Sequence, residues 1–210
     1  ARWADLTLQL SARTELSAGL IAKYAGALDY DITLPGELRV DQNGVPRALR
    51  VDTSFTAFRQ AGYVQSSVQL TDRLRLTLGV RGDWYQFLRN EIRIAPRGAL
   101  AWSVDDVNTF TLAGGQYYQA PQPIWLVGDP ENRQTLQPLR ADQVVAGWQR
   151  LLRPDLKLQI ETYGKRYSDY PARAFRRRAV LQPSGFDDVT NDIPYGLEPL
   201  VAQGTGSVRG

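Results

Sequence analysis

From Leu74 to Trp102 the chain alternates apolar and polar residues with a period of two. Leu74, Leu76, Leu78, Val80 and Trp84 share one parity, and Arg75, Thr77, Arg81 and Asp83 share the other. After a short polar break, Ile92, Ile94, Leu100 and Trp102 alternate with Arg93, Arg97 and Ser103. A helix repeats every 3.6 residues and cannot keep this pattern on one face, whereas a strand throws successive side chains to opposite faces. Two such strands around a short polar break make an antiparallel hairpin with one apolar and one charged face. What the chain can fold into depends on which solvent meets which face.

The same period recurs along the chain. Leu6, Leu8 and Leu10 oppose Thr7, Gln9 and Ser11 in a strand from Trp3 to Ser11. Glu15 to Tyr24 alternates with one break at Ile21, and Phe55 to Leu70 sets Val64, Val68 and Leu70 against Tyr63, Gln65, Ser67 and Gln69. Phe110 and Leu112 begin a strand running to Tyr118, Asp142 to Leu151 is another, and Leu156, Leu158 and Ile160 oppose Lys157, Gln159 and Glu161. Pro and Gly break the pattern from about Asp31 to Asp52, and Pro121, Pro123, Pro130 and Pro138 mark Ala120 to Arg140 as an irregular loop. Ser168 onward is the longest loop, and a further strand begins near Gly210. No helix of convincing length fits. The expected fold is all-β, an antiparallel up-and-down meander of about eight strands.

Composition narrows the chemistry. The 210 residues carry a formal charge of +3, too balanced to favour nucleic acid. Of the 25 basic residues only Lys23, Lys157 and Lys165 are lysines, so arginine, with its fixed fork of donors, dominates. There is no Cys, which removes disulfides, thiolate nucleophiles and sulfur metal sites, and no His, the commonest general base and neutral metal ligand. No catalytic constellation stands out, and the chain is read as neither an enzyme nor a cofactor binder. Its apolar runs are far shorter than the roughly 18 residues of a membrane helix, so any membrane role falls to strands.

Alternation alone is symmetric: a soluble sandwich points the apolar face inward, and an outer-membrane barrel points it at lipid. Three features favour lipid. Connections near residues 12, 71, 105 and 153 are short, while 31–52, 119–141 and the stretch after 168 are long, so all short turns gather at one end. Trp3, Trp84 and Tyr24 are expected to end apolar faces at the long-loop side, and Trp102 and Trp148 at the short-turn side, as interfacial girdles do. The polar face mixes Arg, Glu, Lys, Gln, Gly and Ser, as a watery lumen would. The alternatives are a soluble all-β binding or carbohydrate-active domain, or a complete small eight-stranded structural barrel.

Several short runs then resemble a family. Tyr63-Val64-Gln65, Gly79-Val80-Arg81-Gly82-Asp83, Pro96-Arg97, Gly115-Gln116-Tyr117-Tyr118-Gln119-Ala120-Pro121, Tyr163-Gly164-Lys165-Arg166-Tyr167-Ser168-Asp169-Tyr170-Pro171 and Gly204-Thr205-Gly206-Ser207-Val208-Arg209-Gly210 follow one another as in the barrel of TonB-dependent outer-membrane receptors. Leu136-Gln137-Pro138-Leu139-Arg140 departs from it, with Leu where the family often has Glu after Pro. Barrels of that family have about 22 strands. The resemblance therefore implies that residues 1–210 are one partial transmembrane β-barrel domain, an internal segment of a receptor. It also implies a bacterial outer-membrane location and import of a scarce bulky solute, an iron chelate, a cobalamin or a glycan. The implied partners are outer-membrane lipid and lipopolysaccharide, the remaining strands and plug of the receptor, and the TonB complex.

Candidate contacts follow from placement. Arg81 and Arg97 share the polar face on neighbouring strands and could pair with an anionic substrate, with plug carboxylates, or with wall residues such as Asp83 or Glu161. Tyr117, Tyr118, Gln119 and Trp125 sit at the mouth of a long loop, where ligand contact and girdle packing are both open. Arg176, Arg177 and Arg178, with Arg173, could hold an anionic ligand or lipopolysaccharide phosphates or lie in a solvated loop. Asp187, Asp188, Asn191 and Asp192 supply oxygen atoms and could bind calcium, but their spacing does not fit the EF-hand pattern and turn chemistry explains them as well.

Overall fold

The computed structural model describes residues 1–34, 45–46, 48–88, 92–127, 129, 131–174 and 199–210. Among them nine strands form one antiparallel sheet in chain order: β1 (Arg2–Ser11), β2 (Thr14–Leu34), β3 (Leu49–Thr71), β4 (Leu74–Tyr85), β5 (Ile92–Ser103), β6 (Asn108–Gln119), β7 (Leu139–Arg153), β8 (Leu156–Arg173) and β9 (Leu200–Arg209). Each pairs only with its neighbours in sequence, and β1 and β9 form opposite edges. The expected meander is present with one strand more than expected, the ninth arising from the glycine-rich stretch around Gly204 to Gly210. Loop 120–138 carries two short helices, α1 (Pro123–Val127) and α2 (Asn132–Thr135), where irregular chain was expected.

β2 and β3 are longer than their alternation. They remain paired as far as Leu34 opposite Leu49, although the pattern fades after Tyr24 and before Phe55. Alternation records a face in contact with an apolar medium; the backbone ladder can continue where both faces meet water. A register shift between Ala25 and Leu28 resets the parity within this extension.

Unbroken register makes each face continuous. Leu74 on β4 lies opposite Trp102, Trp102 opposite Phe110, Phe110 opposite Trp148, and Trp148 opposite Ile160. Rows such as Leu8–Leu16–Ser66–Leu78–Gly98 and Ala18–Val64–Val80–Pro96 lie parallel to it. This apolar face is open: Leu6, Leu20, Leu78, Ile94, Leu112 and Ile160 are all exposed.

Aromatic rings close both ends of that face. Trp102, Phe110 and Trp148 form a row with ring centroids 6.4 Å apart at each step. The Trp148 indole N–H donates to Asn108 Oδ1 at 3.2 Å, so its apolar body and polar tip point to different surroundings. At the other end Tyr24 lies opposite Phe58, and Phe58 packs edge-on to Trp84 at 5.8 Å. Trp3 does not join this row. Its register partner is Ile21, and its parity is that of Asp5, Thr7 and Gln9, so it belongs to the polar face. The ten steps from Leu74 to Trp84 span about 34 Å of strand, or about 25 Å after a tilt near 40°, the height of a lipid-facing band.

The short turns are tied together. Arg13 pairs with Asp72 at 2.9 Å, and Arg73 Nη1 donates to the Val104 carbonyl at 2.7 Å. Exposed pairs of this kind contribute little. The backbone does more: Gln69 N–H donates to the Arg13 carbonyl and Ser103 N–H to that of Arg73, both at 2.8 Å, carrying the ladder into the turns. In the β5–β6 turn the Asp105 carboxylate accepts from the Asn108 side-chain amide and from the Asn108 and Val107 backbone N–H groups, at 2.7–3.0 Å. These bonds, the Asn108 side chain foremost, hold the Asp105 carboxyl below the usual aspartate range.

Two outcomes are expected. Leu78 lies midway between the aromatic ends of the apolar face, so Leu78→Arg should cost about 2–4 kcal/mol in urea titrations of the protein folded in phospholipid vesicles. Gln159→Arg, on the polar face, should change little, and equal costs would reverse the two faces. For Asp105 the pKa is lower folded than unfolded, so its contribution is complete above the unfolded value and is lost as pH falls through the folded value. Protection of the Val107 and Asn108 amides, corrected for intrinsic exchange, should stay level from neutral pH down to about 4 and drop below it. Asp105→Ala should show the low protection throughout.

Candidate functional site

The polar face is concave, and the β6–β7 loop folds onto it. Trp125, Leu126 and Val127 from α1 and Leu136 after α2 are buried in one cluster with Tyr85, Leu88, Leu139 and Leu200, and Tyr30, Val51 and Ala57 pack against it. These residues come from β2, β3, β4, β7 and β9. Only a strongly curved sheet lets nine residues of two short helices reach both β3 and β9. The apolar residues Pro123-Ile124-Trp125-Leu126-Val127, set among prolines, explain why this loop seeks cover.

Asn132 fastens the loop. It is fully buried; its Nδ2 donates to the Trp125 carbonyl at 2.8 Å, and its Oδ1 accepts the Leu200 N–H at 2.8 Å. Thr135 Oγ1 donates to the Leu200 carbonyl at 2.8 Å. Both backbone groups of Leu200, the first residue of β9, are thus satisfied by α2.

Beneath the loop lies a charged layer. Asp83 is 1% exposed and accepts from Arg59 Nη2 at 2.8 Å and from Arg81 Nε and Nη2 at 2.7 and 2.9 Å. Arg59 also lies over the Tyr85 ring, 5.1 Å from its centroid. Tyr85 Oη is buried and has no hydrogen-bond partner among the described residues. Arg93 Nη2 donates to Gln137 Oε1 at 3.2 Å, linking the wall to the loop base. Four residues on from Arg93, Arg97 lies over the Tyr117 ring at 5.7 Å, and its Nε is buried without a partner. Its register neighbours are Gly79 and Gly115. A Cβ at Gly115 would come within 2.9 Å of Arg97 Cβ, so the glycine makes room for the arginine to lie flat. No carboxylate pairs with Arg97 among the described residues, leaving a cation on a concave wall beside an aromatic face.

The family model described as "TonB dependent receptor-like, beta-barrel" matches residues 1–196. The chain belongs to the TonB-dependent receptor β-barrel family. Solved structures agree in fold. The FrpB iron transporter from Neisseria meningitidis superposes with a TM-score of 0.68 at 14% identity, covering 99% of this chain and 32% of that one. The siderophore receptor PirA from Pseudomonas aeruginosa gives 0.65 at 13% identity, covering 99% and 34%. A variant of the ferric enterobactin receptor PfeA from Pseudomonas aeruginosa, in complex with enterobactin, gives 0.64 at 14% identity, covering 99% and 31%. The chain therefore spans about a third of the length of these structures. No curated protein matches it. The family and these structures are receptors and transporters.

The candidate residues separate in this barrel wall. Arg81, Arg97, Tyr117 and Gln119 share the concave face, and Arg81 bonds Asp83, one of the wall residues considered for it. Tyr118 lies on the opposite face, across from Arg140. Trp125 is 1% exposed, inside the loop cluster. Arg176, Arg177 and Arg178 lie outside the described residues, as do Asp187, Asp188, Asn191 and Asp192. Arg173 ends β8 and is buried opposite Leu200. Glu161, the other wall residue considered, is on β8 and accepts from Gln159 at 2.6 Å. Sequence reasoning missed Arg59, Tyr85 and Asn132. Arg59 and Tyr85 share the parity of Arg81, which was the available signal; nothing local marks Asn132.

Removing Asp83 would leave two arginines facing each other on the wall. Asp83→Ala should cost about 2–3 kcal/mol in urea unfolding, below the value for a fully buried pair because both arginines keep some contact with water. A cost near zero would mean that the cluster does not hold the wall.

Proposed function

We propose that residues 1–210 form part of the barrel wall of a bacterial outer-membrane receptor that imports a ferric chelate with energy from the TonB complex. The apolar face meets lipid and lipopolysaccharide, the long loops lie outside the cell, and the concave face meets the plug and the passing solute. Each open edge, along β1 and β9, pairs with a further strand of the same receptor, since every backbone group left without a partner in hydrocarbon costs several kcal/mol.

The observation that carries the substrate is Arg97: a guanidinium with no carboxylate partner among the described residues, lying over Tyr117 on the concave wall. Cation and aromatic ring together suit an anionic, aromatic or carboxylate-bearing chelate better than a neutral glycan. The names of the similar structures, an iron transporter and siderophore receptors, support the same choice.

The test is uptake of radioactive iron, supplied as a ferric tricatecholate, by cells making the intact receptor. Uptake should require an energised inner membrane. Arg97→Gln should raise the half-saturating concentration about tenfold, the effect of losing one charge-assisted contact. Competition by cobalamin or a neutral oligosaccharide, with no effect of ferric chelates, would replace the substrate and keep the fold.

A further inference from the structure

Two strands outrun the wall beside them. β4 ends at Tyr85 opposite Arg59, and the last bond it sends across is from Gln86 N–H to the Phe58 carbonyl at 3.1 Å. β3 continues past this point to Leu49, paired with β2 on one side and with no strand among the described residues on the other. The chain after β4 turns inward, where Leu88 is buried in the cluster under the β6–β7 loop. The extension lies beyond Phe58 and Trp84, which close the apolar face, so it stands clear of lipid. This edge differs from those of β1 and β9. The next strand to β3 in the meander is already β4, so barrel order supplies no neighbour here.

The ladders fix which backbone groups are left over. In an antiparallel pair the N–H and C=O of one residue point to the same side, and successive residues alternate. Gln69 N–H reaches Arg13 on the β2 side, and the Phe58 carbonyl reaches Gln86 on the β4 side. Odd-numbered residues of β3 therefore bond to β2. Beyond Phe58 the even-numbered residues Thr56, Ser54, Asp52 and Arg50 turn their N–H and C=O groups to the open side in a regular row. All of these are exposed, whereas Val51, Thr53 and Ala57 are half-buried, with Val51 and Ala57 against the loop cluster. Native sheets blunt such edges with proline, lysine or a bulge. Residues 50–56 contain neither proline nor lysine, and the extra residue of the register shift between Ala25 and Leu28 falls in β2, which leaves β3 regular.

Charge says which strand would fit. On the outward side Asp52 lies directly opposite Asp31, and Asp29 follows two residues from Asp31 on the same face. Like charges in directly opposite positions destabilise a ladder. No ion pair joins these carboxylates to Arg50 or to another cation among the described residues. A cation carried by a strand on the free side of Asp52 would stand at the spacing of a cross-strand pair and offset the repulsion.

We propose that the outer edge of β3 from Arg50 to Thr56 docks an extended peptide segment of a partner protein, which adds to the sheet as a further strand. Main-chain hydrogen bonds hold it. Its side chains of one parity lie beside Val51 and Thr53, and those of the other parity face outward, with a cation next to Asp52. The outer-membrane placement enters only through access, since the edge lies at the long-loop end.

The experiment uses the intact receptor in phosphatidylcholine nanodiscs. Hydrogen exchange without peptide comes first. The Asp52 and Ser54 amides should exchange at nearly unprotected rates while those of Val51 and Thr53 are protected. Equal protection of all of them overturns the proposal, because another part of the receptor then covers the edge. The binding probe is a synthetic peptide in which lysine and threonine alternate with valine, long enough to cover Arg50 to Thr56, read by fluorescence anisotropy. Only one edge of an added strand faces β3. N-methylation of alternate amides should therefore weaken binding about tenfold in one phase and leave it unchanged in the other. Ser54→Pro removes an N–H that the β2–β3 ladder does not use and should abolish binding, with continued protection of the Val51 amide showing that ladder intact. Asp52→Asn should weaken binding about threefold. No binding at about 1 mM peptide, equal effects of the two methylation phases, or full binding to Ser54→Pro overturns the site. Neither readout involves iron, so failure here leaves the uptake reading standing.

Discussion

Everything in this wall depends on strand register. Side chains alternate between faces with a period of two, so a slip of one residue in any ladder would move a whole strand's apolar set to the lumen. From β1 to β8 the ladders keep the leucines of one strand beside those of the next, with shifts confined to the turns and to the outer part of β2. The hydrophobic effect cannot fix this order by burial against a core, because among the described residues the apolar face has no protein partner and remains exposed. Short turns and paired backbone groups fix it instead, and lipid rewards the result.

The two faces solve opposite problems. Outward, small residues and aliphatic chains make a surface that a bilayer can wet, bounded by rings whose polar tips find partners, as Trp148 finds Asn108. Inward, the wall must tolerate charge in a confined space. It does so by pairing, as in Arg59–Asp83–Arg81, and by laying long side chains over glycines, as with Arg97 above Gly115 and Tyr63 above Gly19. The Tyr63 hydroxyl also reaches Asp5 at 2.8 Å, tying β3 to β1 across the intervening glycine. Glycine in a strand weakens it in isolation, and here it supplies the space in which the lumen wall packs.

The folded β6–β7 loop gives the wall a small protein core of its own. Burial of Trp125, Leu126 and Leu136 on the lumen face draws the ends of β4, β7 and β9 together, and Asn132 joins loop and strand by satisfying backbone groups of both. This arrangement narrows the long-loop end above the charged layer.

Much of the fold was legible because alternation is a local signal. Strand positions, the short turns near 12, 71, 105 and 153, the charged and apolar parities, and the resemblance to receptor barrels could all be taken from neighbouring residues. Parity also held the correct side for Trp3, which shares its face with Asp5, and for Tyr118, which faces away from Tyr117; both needed only to be followed residue by residue. The meander also told which strands meet; what the sequence could not supply is the register between them and the contacts that cross it. The Arg59–Asp83 pair joins residues 24 apart in sequence, Asn132 holds Leu200 68 residues away, and Arg166 is left without its cross-strand carboxylate because Arg140 takes it. Local periodicity determined the two faces, because side-chain direction is a property of each strand alone. Tertiary structure decided curvature, the loop's place on the concave side and the charge pairs that cross between strands, because those depend on distances across the sheet.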